Sequence, residues 1–372
     1  MDRDTIEIYE EHGAEWAGRR TPVRRVDAVA FGRTLRPGTV RIDLGCGAGR
    51  YTGELGRPVI GLDASQTMLE LCQRRVPTAL LVRGDLEQLP FGPQSLGGGW
   101  ANMSYLHVPK VRLPAALADL HRTLVVGATI DIQVLHGSYE GTALPDDDVG
   151  GRFFAAWETG HLEDVLVGAG FAVTALEVEA EVVRARAVRS RTLADVVGPD
   201  LTLLMVGLNP SIYSADRGVG YARPGNRFWP ALLTAGIVSR DRDPIHAWRV
   251  DGVGMTDIVK RATAGAKEIA AAEYRSGMAR VERLTRWLAP AAVCMVGLSG
   301  WRVAVDPGAR PGVQPDAFGG RPVYVMPSTS GINAHAQLPE LVGHLRRALA
   351  VGAEAAGAAG AEKGLLKSAK SE

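Results

Sequence analysis

Two clusters in this 372-residue chain combine residue types that can do chemistry. In the first, Asp43-Leu44-Gly45-Cys46-Gly47-Ala48-Gly49 closes the short apolar run TVRIDLG at 39–45. Glycines permit a tight turn and let a ligand approach the backbone, and a following helix offers unpaired N–H groups. Asp63 follows the next apolar run at a distance suited to ribose hydroxyls, and Asp85 follows the third, in RGDLEQLPF at 83–91. Cys46 has no partner histidine at a readable position and reads as a small residue in a tight turn. The second cluster is VGLNPSIYSADRGVGYARPGNRFWPALLTAGI at 206–237. Its Asn209 amide is both donor and acceptor but cannot titrate, so it can orient a water for a reaction whose leaving group departs readily. Tyr221, in a glycine-rich stretch, offers a floor for a planar base, with packing inside its loop as the competing reading. Arg217, Arg223 and Arg227 are spread around it where phosphates could be met, while Phe228 and Trp229 are expected to pack the loop against a sheet. A further loop, Met326-Pro327-Ser328-Thr329-Ser330-Gly331-Ile332-Asn333-Ala334, is small and hydroxylic, with Ile332 at its crest as an apolar wedge for the gap left by a flipped base.

The elements that must position these loops alternate. Apolar strand-sized runs at 39–45, 58–62, 79–83 and 128–134 are separated by helical stretches such as MLELCQRRV at 68–76, and 170–183 reads as a last strand or hairpin. The pattern restarts with LTLLMVG at 201–207, followed by AAVCMVG at 291–297 and RPVYVMP at 321–327, with helices expected over 274–288 and 338–349. Such alternation predicts two doubly wound α/β domains, each a mostly parallel sheet with helices on both faces. The join is expected near 184–199, giving domains at 1–185 and 190–350 and a flexible Ala/Gly tail at 351–372. No repeat of 20–50 residues is evident, which excludes a solenoid.

Composition narrows the class. Hydrophobic residues make up 46% of the chain and charged residues 22%, which excludes wholesale disorder. Three scattered cysteines exclude a four-cysteine iron–sulfur cluster and a disulfide scaffold; they suit a reducing compartment, so a cytoplasmic location is expected, nucleoid-associated in a bacterium. The acidic start MDRDTIEIYEEHG has no signal pattern, no apolar stretch spans a bilayer, and no metal site is expected. The overall charge of +1 divides unequally: residues 1–198 carry 21 Lys/Arg against 26 Asp/Glu, and 199–372 carry 21 against 15. A polyanion therefore favours the second half.

The first cluster resembles class I S-adenosylmethionine-dependent methyltransferases, whose glycine motif typically reads DLGCGxG. The resemblance covers roughly 35–175 and implies a Rossmann-like methyltransferase fold. It also implies that Gly45, Gly47 and Gly49 embrace the amino-acid part of S-adenosylmethionine, Asp63 its ribose and Asp85 its adenine amine. Downstream the likeness thins: LPFGPQSLGGGW has Gly98 where an aspartate is usual. Tyr105 and His107 are candidates for lining an acceptor pocket, or equally for the polar edge of a core.

The second half, from about Arg191 to Ala350, resembles the mismatch-specific uracil/thymine-DNA glycosylases, the second family of the uracil-DNA glycosylase superfamily. Its motif G-I-N-P-G is read as Gly207-Leu208-Asn209-Pro210-Ser211; P-x-N-R/H-F-W matches Pro224 to Trp229; N-P-S-G-L-S-R or M-P-S-S-S-A-R matches 326–334. The resemblance implies a uracil-DNA-glycosylase fold in which Asn209 positions the attacking water. It implies a base pocket of Leu208, Ser211, Tyr221, Asn226 and Ser328, and duplex contacts from Ser330, Gly331, Ile332 and Asn333. Ser211 and Ala334 replace a glycine and an arginine of the family, and Asp257 stands where some bacterial members carry lysine.

The expected activity is therefore monofunctional hydrolysis of the N-glycosidic bond of uracil, preferably in G·U mismatches, with G·T and ethenocytosine as further candidates. Such a base-excision-repair enzyme binds double-stranded DNA and needs no cofactor, whereas the fused domain calls for S-adenosylmethionine. The alternative is a methyltransferase carrying a non-catalytic DNA-damage-binding module. A monomer is compatible with the sequence, which fixes neither the oligomeric state nor a general base.

Overall fold

The computed structural model describes residues 1–19, 23–145, 147–331, 333 and 336–368, with side chains as far as Ala355. The chain divides into two compact units, Met1–Ser190 and Arg191–Glu372.

The first unit runs α1 (Arg3–Arg19), α2 (Arg25–Thr34), β1 (Arg41–Leu44), β2 (Val59–Asp63), α3 (Gln66–Arg75), β3 (Leu80–Arg83), β4 (Leu96–Asn102), α4 (Leu113–Thr123) and β5 (Leu124–Leu135). Two short strands, β6 (Glu140–Gly141) and β7 (Phe154–Ala155), then precede α5 (Thr159–Gly168), β8 (Phe171–Glu179) and β9 (Val182–Arg189). The sheet order is β3-β2-β1-β4-β5-β9-β8. The first five strands are parallel, and β9 and β8 close the edge as an antiparallel hairpin. Strands are added to one side of β1 as far as β3 and to its other side from β4, and the crevice at the carboxyl ends of such a switch is where open α/β sheets bind ligands. The glycine run of β4 has a packing reason: a Cβ at Gly98 would lie 2.5 Å from a Leu35 methyl, so an aspartate has no room there.

The expected join at 184–199 needs correction at its start. Arg184 to Arg189 belong to β9, whose burial alternates strictly. Val183, Ala185 and Ala187 face the core, while Arg184 and Arg186 both ion-pair with buried Asp131 on β5. Arginines at every second position are a strand face satisfied by one internal carboxylate.

The second unit runs β10 (Leu203–Gly207), α6 (Ile212–Arg217), α7 (Phe228–Ala235), α8 (Pro244–Arg249), β11 (Val253–Asp257) and α9 (Ala271–Leu288). It continues with β12 (Ala292–Val296), α10 (Leu298–Ala304), β13 (Gly312–Val313), β14 (Val323–Met326) and α11 (Leu338–Ser368). The sheet order is β11-β10-β12-β14-β13, parallel except for the last pair. Successive β10 residues point to opposite layers. Leu203 and Met205 pack with Phe228, Leu232 and Leu341; Leu204 and Val206 pack with Met278, Val281 and Leu284. Helices thus cover both faces, each hiding an apolar stripe. The tail expected from 351 continues α11 as helix to Ser368.

Candidate functional site

In the first unit, β1 delivers the glycine loop to the sheet's switch point. Gly45, Gly47 and Gly49 all have positive φ, which glycine adopts without strain. A Cβ at Gly49 would lie 2.6 Å from the Cys72 sulfur, whereas at Gly47 it would meet open space. Gly47 N–H donates to Asp63 Oδ2 at 2.8 Å, and Ser65 N–H to Oδ1 at 2.9 Å, so the acid after β2 is tied to the loop. Burial raises the Asp63 pKa against those donors. Asp43, at the end of β1, accepts from Thr52 Oγ1 at 2.6 Å and is pushed up to about 7, mainly by burial. Asp85 accepts the Met1 ammonium at 2.8 Å. Cys46 and Cys72 are both buried free thiols.

Asp43, Gly45, Cys46, Gly47 and Asp63 line one cleft of about 730 Å³; Gly49 and Asp85 do not, although Gly84 and Leu86 on either side of Asp85 do. His107 lines it with Tyr9, Trp16, Arg152 and Phe154; Tyr105 does not, being fully buried core. The polar chain around His107 can be assigned completely. Its Nδ1 lies 2.7 Å from the Phe153 carbonyl, which only accepts, so Nδ1 carries the proton. Burial lowers the ring pKa to about 4, leaving Nε2 as acceptor for the Tyr9 hydroxyl at 3.1 Å. Tyr9 in turn accepts from Arg152 at 2.9 Å. Arg152 is held by Asp147 and Asp148 and lies 5.3–5.7 Å from the Tyr9, Trp16 and Phe154 ring centres.

The second unit has its own crevice, about 440 Å³, at the carboxyl ends of β10 and β11. Leu208, Asn209, Ser211, Tyr221, Asn226, Ser328 and Ser330 all line it. The Asn209 amide nitrogen donates to Thr263 Oγ1 at 2.8 Å and to the Arg261 carbonyl at 3.1 Å. Thr263 passes its own proton to the Gly265 carbonyl, so it must accept from Asn209. The amide orientation follows, and Asn209 Oδ1 is left as the acceptor.

Several partners of the crevice are structural. Ser211 caps α6 through Ser214 N–H. Asn226 Oδ1 accepts from Phe228 N–H at 3.0 Å, and Ser328 Oγ from Ser330 N–H at 3.3 Å. Asn333 donates to the Ser328 carbonyl at 2.9 Å. Exposed Gly331 packs on the other loop: a Cβ there would lie 2.8 Å from the Gly225 carbonyl oxygen. Ile332 lies outside the described residues. Arg227, expected at a phosphate, instead donates to the carbonyls of Ser330, Asn333 and Ala336, fixing the serine-rich loop to the start of α7. Arg217 lies over the Tyr213 ring, and exposed Arg223 lines the crevice.

Tyr221 has a left-handed backbone, φ 56°, a strained conformation for an aromatic residue. Its ring stacks on Phe228, centroids 3.7 Å apart and 16° from parallel. Its buried hydroxyl has no hydrogen-bond partner among the described residues.

From the sequence, Asp257 reads only as the residue standing where some bacterial members carry lysine. The last residue of β11, it lines the crevice, and no donor among the described residues reaches its carboxylate. Its Oδ1 and the Tyr221 hydroxyl converge on Gly207: a Cβ there would lie 2.3 Å from one and 2.7 Å from the other. Burial raises its pKa to about 6, with Lys260 opposing and Asp195 reinforcing the shift. The available signal was positional: an acid ending the parallel strand beside the motif strand. Among the described residues no group of His, Cys, Asp or Glu could hold a metal, and no helix is long and apolar enough to cross a membrane.

Comparison with known proteins assigns each half to a class. Residues 42–127 match the methyltransferase-domain family, and residues 194–350 match the uracil DNA glycosylase superfamily. The chain thus joins a methyltransferase-like Rossmann domain to a domain of the uracil DNA glycosylase fold. Solved structures similar to part of the chain include a SAM-dependent methyltransferase from Methanosarcina mazei, 14% identical over 43% of this chain and 97% of its own, TM-score 0.40. An S-adenosylmethionine-dependent methyltransferase from Mesorhizobium loti is 20% identical over 43% and 96%, TM-score 0.36. The Burkholderia thailandensis 1,6-didemethyltoxoflavin-N1-methyltransferase is 19% identical over 50% and 86%, TM-score 0.41.

Proposed function

We propose that the second unit is a monofunctional DNA glycosylase that hydrolyses the N-glycosidic bond of uracil, preferably opposite guanine. One observation carries this reading: Asn209, its amide nitrogen fully engaged, presents only an acceptor to a crevice that also holds the Asp257 carboxylate, which no donor among the described residues reaches. Asn209 Oδ1 orients a water, and Asp257, ionised above about pH 6, takes a proton from it as its oxygen bonds to C1′ of the sugar. The C1′–N bond breaks, its electron pair leaves with the base, and backbone donors at the loop stabilise that anion. Tyr221 supplies the stacking surface through the ring face not covered by Phe228. Flipping is cheapest at a mismatch, which favours G·U over A·U. Among the described residues no lysine lines the crevice, in keeping with simple hydrolysis to an abasic site.

The test is incubation with duplexes carrying G·U, G·T, A·U, ethenocytosine and hypoxanthine, followed by alkali cleavage. Release from G·U that is lost in Asn209→Ala with DNA binding retained is the expected result. Equal release by both proteins refutes the assignment, and tight G·U binding without product by the wild type favours a damage-binding module instead.

For the first unit, an S-adenosylmethionine-dependent methyltransferase is the supported reading. The residues fit that cofactor: the loop is open above Gly47, and Asp63 is fixed to it. The glycine loop would hold the amino-acid end, Asp63 the ribose and Asp85 the adenine amine. When bound, S-adenosylmethionine supplies an electrophilic methyl group. His107 has both ring nitrogens engaged, so an acceptor in this cleft releases its proton to solvent rather than to that ring. Calorimetry of residues 1–190 with the cofactor tests the reading, and absence of heat at high micromolar concentration overturns it.

A further inference from the structure

Asp257 belongs to a larger charge arrangement beneath the crevice. Asp195, just before β10, is almost fully buried and receives three side-chain donors. These are Lys260 Nζ at 2.7 Å, Arg280 Nη1 at 2.8 Å and Thr256 Oγ1 at 2.7 Å. Lys260 and Arg280 are themselves 10% and 6% exposed. Arg280 also donates to Thr256 Oγ1 at 3.0 Å and to the main-chain carbonyl of Asp257 at 2.9 Å. Paired hydrogen bonds between Val196 and Met255 fix the Asp195 segment to β11, and Thr192 Oγ1 holds the Lys260 carbonyl.

Two buried cations share one carboxylate here. Uncompensated charge is costly in a poorly solvated interior, so a fourth, negative member is required. Asp257 is the acid positioned to supply it, and the groups facing its carboxyl are Lys260, Asp195, Arg280 and the Tyr221 hydroxyl. We infer that the Arg280–Asp195–Lys260 network is a positioning device for the glycosylase reaction: Arg280 anchors the main chain of Asp257, and the buried charges around Asp195 form the fixed field in which its carboxyl acts. Lys260 touches no substrate in this arrangement; it acts through Asp257. The inference rests on the reading of Asp257 as the base that serves the attacking water.

Carboxyl-carbon NMR titration of the full chain tests it without requiring turnover, with Asp257→Asn identifying the resonance. Lys260→Met removes an attracting cation and raises the Asp257 midpoint by roughly one pH unit, whereas Lys260→Arg keeps it. Asp195→Asn removes a repelling anion and moves the midpoint the other way. Opposite shifts are something a merely structural network does not give. A folded Lys260→Met protein with an unmoved midpoint overturns the inference, whether or not Asp195→Asn folds. Excision supplies the second readout: after a one-unit shift, Lys260→Met loses about fivefold at pH 6 and almost nothing at pH 8. If Asp257→Asn excises with the wild-type pH profile, the base reading fails while the titration result stands. If Asp257→Asn abolishes the acid limb and Lys260→Met does not displace it, the charge-setting role fails alone.

Discussion

Gly207→Ala perturbs both proposed acting groups of the crevice with a single methyl. A Cβ at Gly207 would lie 2.3 Å from Asp257 Oδ1 and 2.7 Å from the Tyr221 hydroxyl, about 1.1 and 0.7 Å short of the 3.4 Å at which ordinary contact begins. Gly207 is not in the left-handed region, so alanine meets no backbone penalty and the effect is purely steric. Overpacking of this kind costs about 1–3 kcal/mol. For a unit of this size that lowers the Tm of its transition by roughly 2–12 °C, leaving a folded protein. Catalysis is affected more, because Asp257 must turn away or Tyr221 must shift on Phe228. Ångström-scale displacement of reacting groups costs about 10²-fold. Single-turnover excision from a labelled G·U duplex measures that loss, beside a thermal scan of the same sample. Gly343→Ala, on α11 with open space around the new methyl, is the control expected to keep wild-type activity. Excision by Gly207→Ala at the wild-type rate would refute the convergence of Asp257 and Tyr221 on the reacting centre.

Other outcomes follow from the same geometry. Thr263→Val removes the acceptor that orients Asn209, so excision falls by about tenfold or more while G·U binding, read by anisotropy, is kept. Excision in the wild type declines below about pH 6 as Asp257 protonates, and Asp257→Asn is slow at every pH, which a pH–rate series decides. Buried His107 titrates near 4, below its ordinary value, so its contribution to stability is complete above about pH 6.5 and is lost as pH falls toward 4. That is on the order of 3 kcal/mol in the first unit, measurable by denaturant unfolding at pH 7 and 4 and reduced in His107→Asn. Asp63→Ala frees the Gly47 N–H and weakens S-adenosylmethionine binding at least about tenfold by calorimetry.

The alternation of apolar runs with helical stretches was enough to show two parallel-sheet α/β units, because strands buried on both faces are short and continuously apolar. The edge of the first sheet was not legible: the arginines of β9 read as a polar connection when their partner, Asp131, lies more than fifty residues away. The glycine loop and the asparagine loop were visible because each needs residue types that ordinary packing does not favour. Arg227 was misread for the opposite reason, since an arginine beside a loop looks the same whether it awaits a phosphate or holds carbonyls. Asp257 was hidden by being judged as a substitution, when its meaning lies in where β11 ends and in the buried cations beneath it.

The stacking of Tyr221 on Phe228 has a consequence for how variation in this unit should be interpreted. Phe228 is wholly enclosed, and by exposure alone any change there would be classed as a matter of folding. Yet under the proposed function it is the backing plate of the surface offered to an incoming ring, and it holds a tyrosine with a left-handed backbone. A smaller aliphatic side chain at 228 would let that tyrosine tilt, so a guest would find its platform at the wrong angle although nothing it touches had been altered.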